Sequence, residues 1–163
     1  MCGVAGIISS EDNEQIKYSI DNMLNFISHR GPDGHGVDLF SLTDNLNLAL
    51  GHNRLAIIDT SSAGLMPMNS DCDTLSIIFN GEIFNYLELK DELIKLGHNF
   101  NTHTDTEVLL KAFQEWGHEC LNKLNGMFAF AIFNKLNGDL FIARDRYGVK
   151  PLYYSKGDNF FIF

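Results

Sequence analysis

Cysteine is scarce in this chain, three among 163 residues, at positions 2, 72 and 120. An odd, widely spaced set excludes a disulfide-stapled secreted scaffold and suits a reducing compartment, so the cytoplasm is the expected location. Cross-links are not needed, because a chain of this length buries roughly two-thirds of its unfolded surface as a single domain. There is no uninterrupted apolar run of about 18 residues and no basic segment leading into an apolar stretch, which argues against a membrane-spanning helix and an export signal. Basic residues are also few: 12 Lys and Arg face 21 Asp and Glu, a formal net charge of −9. No Lys/Arg cluster offsets that balance, which repels nucleic acid and anionic lipid and points to a small substrate. Neither G-x-x-x-x-G-K-[ST] nor G-x-G-x-x-G occurs, so nucleotide binding has no support. Six histidines are present, but none joins a Cys or His pair at zinc-finger or metalloprotease spacing, and no metal site is expected. His98 and His103 fall in a Gly/Asn-containing loop, and His29, His35 and His52 lie in or beside glycine loops, which reads as a surface or loop role.

What is present alternates between strand-like and helix-like periodicity. Val4 to Ile8 read as a buried opening strand, and Ile16, Ile20, Met23, Leu24 and Ile27 fall at helical spacing over residues 13 to 28. The Gly- and Pro-containing segment His29 to Gly36 ends that helix in a loop. Apolar runs at 46–50, 54–59 and 74–80 predict strands. Asn85 with Glu88, and Thr104 with Glu107, each have the spacing of a reciprocal capping box and head two further helices, the second ending at Gly117. Strands follow at Met127 to Phe133 and Leu140 to Ala143, joined through Asn137-Gly138 as a type I′ hairpin signal, with Tyr153-Tyr154 and a last apolar stub beyond. Strand clusters separated by helices, with few regular βαβ units, favour an α+β fold of mostly antiparallel sheets covered by helices. The chain stops on Phe160-Phe161-Ile162-Phe163 without a terminal turn or polar tail. The expectation is a fragment whose uncovered strand edge promotes self-association into a homo-oligomer.

The most informative single position is Cys2, followed by Gly3. A small second residue lets the initiator Met1 be trimmed, after which one residue carries both a thiol and a free α-amine. A thiol titrates near about 8.5 and an α-amine near about 7.7, so the amine can take the thiol proton directly or through one water. Nucleophile and base then need no histidine. The alternative is an ordinary small residue heading a buried strand. Asn80-Gly81-Glu82 follows the apolar run Leu75 to Phe79, placing an amide, a freely oriented N–H and a carboxylate at a strand end. Such donors can form an oxyanion hole, although Asn-Gly alone reads as a turn. Arg54 at a strand entrance can clamp a carboxylate bidentately or stand as a solvated charge. Asp105, just inside a capped helix, can simply complement its N-terminus.

Taken in series these segments are recognisable. Met1-Cys2-Gly3-Val4-Ala5-Gly6, His29-Arg30-Gly31-Pro32-Asp33-Gly34, Arg54 to Asp59, Asn80 to Asn85, Asp105-Thr106-Glu107 and Arg144 to Tyr154 closely resemble the glutaminase half of glutamine-hydrolysing asparagine synthetases. The resemblance covers nearly the whole chain, in order. It implies a class II glutamine amidotransferase domain of the N-terminal-nucleophile hydrolase group, with a four-layer αββα sandwich. It also implies roles: Cys2 as nucleophile, Asn80 and Gly81 as oxyanion donors, Arg54 on the α-carboxylate of L-glutamine, and Glu82 with Asp105 near its α-ammonium. The family continues into a C-terminal synthetase domain that uses ATP and Mg²⁺; no cofactor is expected in residues 1–163, and the domain is expected to be cut short at its end. Aspartate is the first expected ammonia acceptor, with a sugar acid as an alternative. Two other readings are a related N-terminal-cysteine acylase, which would need an apolar acyl pocket, and a glutamine-binding module with an idle nucleophile.

Overall fold

In the computed structural model, residues 2–43 and 45–163 are described. Met1, whose removal the sequence predicts, lies outside them. Among the described residues, nine strands form two antiparallel sheets. The first contains β1 (Gly3–Ser9), β2 (Gly34–Thr43), β3 (Leu46–Arg54), β8 (Ser155–Lys156) and β9 (Phe160–Ile162), in the order β2-β3-β1-β9-β8. The second contains β4 (Met68–Asn69), β5 (Leu75–Ile83), β6 (Gly126–Asn134) and β7 (Leu140–Arg144), in sequence order. The helices are α1 (Asn13–Phe26), α2 (Tyr86–Lys95) and α3 (Asp105–Trp116). No helix among the described residues is long and apolar enough to cross a membrane.

Burial sorts these elements into four layers. The Asp12 carboxylate caps α1, accepting from the N–H groups of Glu14 at 3.0 Å and Gln15 at 2.9 Å. Ile16, Ile20 and Leu24 then fall on one face and pack on Ala5, Ile7 and Ala49 of the first sheet. On the other side, Leu89 and Leu93 of α2 and Val108, Leu109 and Ala112 of α3 cover Ile77, Phe79, Phe130 and Ile132 of the second sheet. Between the sheets lie Leu48 and Leu50 of β3, Ile78 of β5, Ala131 and Phe133 of β6, and Phe163. The order helix, sheet, sheet, helix is the expected αββα sandwich.

Several local expectations are corrected. Arg54 closes β3 rather than opening a strand, and residues 55–59 form no strand; Ile57 is 69% exposed. β2 begins at Gly34, within the stretch expected as loop, and runs beyond it, and His52 lies buried inside β3 instead of in a loop. Asn85 makes no side-chain cap; its amide instead donates to Lys123 O and accepts from Asn125 N–H. Thr104 does cap α3 through Glu107 N–H at 3.1 Å, but the Glu107 carboxylate turns to the N–H groups of Asn101 and Thr102, so only half of the box forms. Only Gly138 of the Asn137-Gly138 pair has positive φ, which excludes type I′, and the strand near Tyr153-Tyr154 starts at Ser155. The terminal segment is not an open edge. β9 pairs with β1 on one side and β8 on the other.

Candidate active site

The β1–β3 ladder pairs Gly3 with Asn53, so the next step outward brings Cys2 to the end of β3 beside Arg54 and Leu55. The Leu55 N–H donates to Cys2 Sγ at 3.3 Å, and Sγ lies 3.7 Å from Leu55 O. Asp33 braces the same turn: its own N–H donates to Arg54 O at 2.9 Å, and its carboxylate accepts from Ala56 N–H at 3.0 Å. Arg54 is buried, and its guanidinium donates to the carbonyls of Ser61, at 2.5 Å, and Asp59. Those bonds use two of the five N–H donors of an arginine and hold the segment after β3 as one wall of the cleft.

The opposite wall is the far end of β5, and strand parity explains its chemistry. Thr74 O and Phe84 N–H bond toward β6, whereas Leu75 O accepts from Ser70 N–H on the β4 side. Backbone groups alternate sides along a strand, so the odd residues Phe79, Gly81 and Ile83 also face the β4 side. β4 is only two residues long and pairs with Ser76 and Ile77 alone. Beyond it that edge has no strand among the described residues. Phe79 O is taken by His52 Nε2 at 3.1 Å and Ile83 N–H by Asp105 Oδ2 at 3.0 Å, while Gly81 N–H lies between them at the cleft. The Asn80 side chain shares the inter-sheet face with Ile78, and its buried Oδ1 has no hydrogen-bond partner among the described residues.

The resulting cleft, about 100 Å³, is lined by Cys2, Arg54, Asn80, Gly81, Glu82 and Asp105, all six positions singled out from sequence. Burial pushes the Asp105 carboxyl up to about 6, against the Ile83 N–H, and the nearby Glu82 carboxylate adds to the rise. Among the described residues, no group of three or more His, Cys, Asp or Glu side chains is placed to hold a metal ion.

The family described as glutamine amidotransferase domain matches residues 1–163. The chain belongs to this family. Glutamine-hydrolysing asparagine synthetases 1 and 3 of Bacillus subtilis are 42% and 40% identical to it, over 95% and 100% of this chain. The chain spans only 24% and 26% of their lengths. A solved structure of glutamine phosphoribosylpyrophosphate amidotransferase from Bacillus subtilis, complexed with ADP and GMP, matches with a TM-score of 0.80 at 26% identity, covering 99% of this chain and 41% of that one. The architecture is that of an N-terminal-nucleophile hydrolase, and the domain is a glutamine amidotransferase.

The amidotransferase cleft also contains residues to which the sequence attached no role. Lys150 is buried and lines it. Burial and the Arg30 charge lower its pKa, opposed by Glu82, Asp145 and Cys2. Asp145 delivers it: the carboxylate accepts from the N–H groups of Phe128, Tyr147, Val149 and Lys150 at 2.9–3.1 Å, wrapping residues 145–150 around one side chain. A signal was available in the run Asp145 to Lys150, where a carboxylate precedes a glycine-containing turn.

Proposed function

We propose that Cys2, freed of Met1, hydrolyses the side-chain amide of glutamine, and that the ammonia serves an ATP-dependent amidation in the intact protein. The Cys2 thiol proton passes to the α-amine as Sγ attacks the amide carbon. Asn80 and the Gly81 N–H stabilise the oxyanion. The amine returns the proton to the departing nitrogen, ammonia leaves, and a γ-glutamyl thioester remains. Water adds to the thioester carbon, giving a proton to the amine, and glutamate departs as the thiol is reprotonated. Arg54 holds the α-carboxylate of glutamine, while Glu82 and Asp105 face its α-ammonium.

The observation that carries this assignment is the convergence of Cys2, Arg54, Asn80, Gly81, Glu82 and Asp105 on one cleft, although they come from the residue before β1 and from β3, β5 and α3. A buried cation on one wall and two carboxylates on another suit a zwitterion and argue against an apolar acyl group. The names of the relatives favour aspartate over a sugar acid as the acceptor. In this scheme ATP and Mg²⁺ belong to the synthetase part, and hydrolysis in residues 1–163 needs neither. The test is release of glutamate and ammonia from glutamine, with intact mass reporting the loss of Met1. Cys2→Ala should release neither while keeping the fold. Turnover by Cys2→Ala, or by a chain that retains Met1, would reject the mechanism.

A further inference from the structure

We infer that His52 is a positioning residue for the oxyanion hole, acting from the first sheet on the Phe79 carbonyl of the second. The inference rests on the assignment of Asn80 and Gly81 as oxyanion donors. His52 follows Leu48 and Leu50 on the inter-sheet face of β3, opposite Val4 in the β1 ladder, and it is fully buried. Its Nε2 lies 3.1 Å from Phe79 O. A carbonyl can only accept, so Nε2 carries the proton.

The acceptor is what gives this contact a consequence. Phe79 O is the first β5 carbonyl on the β4 side beyond the reach of β4, so among the described residues no strand donates to it, and the ladder ties this peptide only from the β6 side, through Asn80. That plane continues into Asn80, and the next peptide carries Gly81 N–H. The His52 bond therefore stands in for the missing strand partner one residue before both proposed donors. Preorganised donors are effective only when held at the position where charge develops.

Packing alone does not account for an imidazole here. His52 Nδ1 is buried with no hydrogen-bond partner among the described residues. An apolar side chain would fill the layer without leaving that nitrogen unsatisfied. Burial, partly opposed by the Phe79 bond, lowers the His52 pKa to about 4, so near neutral pH the ring is an uncharged donor.

The test compares steady-state glutaminase kinetics of His52→Leu, His52→Gln and His52→Asn with Asn80→Ala as reference. A glutamine amide can reach Phe79 O in place of Nε2, whereas asparagine is one methylene too short. His52→Leu and His52→Asn should lower kcat about 10-fold or more with KM for glutamine within about twofold, and His52→Gln should recover most of the rate. In an Asn80→Ala background, His52→Leu should cost markedly less than it does alone. Should His52→Leu fail to fold, the Gln and Asn variants carry the comparison. Equal kcat for those two, wild-type kcat for His52→Leu, or full multiplicativity with Asn80→Ala would overturn the inference. No loss of kcat in Asn80→Ala itself would instead remove the assignment beneath it.

Discussion

The backbone N–H of Ile83 donates to Asp105 Oδ2 at 3.0 Å, so a single hydrogen bond ties the last residue of β5 to the first residue of α3. It holds the Asp105 carboxylate in the cleft, where burial raises its pKa from 3.8 to about 6. The folded protein therefore binds that proton more tightly than the unfolded chain, and stability falls as pH rises from about 3.8 to about 6. An ammonium placed beside Asp105 favours the ionised form. Glutamine binding should therefore strengthen as pH rises through about 6, with KM falling several-fold. Asp105→Asn should raise KM and flatten that profile while gaining stability above pH 6. An unchanged pH dependence of KM in the variant would remove Asp105 from the ammonium site.

Arg54 and Asn80 should separate binding from chemistry. Arg54 also props the loop through the Asp59 and Ser61 carbonyls, so Arg54→Lys is the informative change: it keeps the charge and loses the planar fork. It should raise KM for glutamine by about tenfold or more, the equivalent of about 1.4 kcal/mol, with little change in kcat. Asn80→Ala should lower kcat by about 100- to 1,000-fold at nearly constant KM. The reverse partition in steady-state assays would exchange their roles.

How much of this was legible in the sequence depended on which force decided each segment. Ile16, Ile20 and Leu24 gave α1 because one buried face sets a helical period. The run Leu55 to Ile58 has strand composition, yet the chain there is held by Arg54 and Asp33 rather than by a ladder, a contact that no local pattern encodes. His52 reads from sequence as lying in or beside a glycine loop, whereas its neighbour Gly51 lies inside β3 where α1 crosses closely; a Cβ there would fall 2.6 Å from Leu24 Cδ1. That reading hid His52. Of the site, Cys2 was readable from its own chemistry. Arg54 and Asp105, alone, had the signature of a surface charge and a helix-end acid, and only resemblance across six segments marked them. Burial of both is a tertiary outcome.

Asp145 offers a stability prediction. Burial alone would raise its pKa, but the N–H bonds from Lys150, Val149, Phe128 and Tyr147 outweigh that and hold the carboxyl below its ordinary value. A group depressed in this way stabilises the fold above the ordinary carboxylate range and loses that contribution on acidification. Asp145→Asn should destabilise the domain by about 2–3 kcal/mol near neutral pH. Chemical denaturation should find that the gap from wild type narrows below about pH 4. A gap independent of pH would mean that the loop is held by shape and not by the charge.

Phe163 should matter more to stability than its place at the end of the sequence suggests. Its N–H and carbonyl both bond Gly6, at 3.0 and 2.9 Å, and its ring lies over that glycine, where a Cβ would fall 2.1 Å from Cζ. The ring fills the space between the sheets with Leu48, Leu50, Ile78 and Phe133. Phe160, in the same apolar run, is 44% exposed. Phe163→Ala should therefore cost about 3 kcal/mol by opening a cavity, a fall of about 10 °C in Tm for a domain of this size. Phe160→Ala should cost less than about 1 kcal/mol. Because β9 is paired on both sides, the wild-type terminal strand should not drive self-association, whereas Phe163→Ala, by loosening it, should. Thermal melts and light scattering against concentration check both outcomes, and equal effects of the two alanine variants would show that the terminal ring is not part of the core.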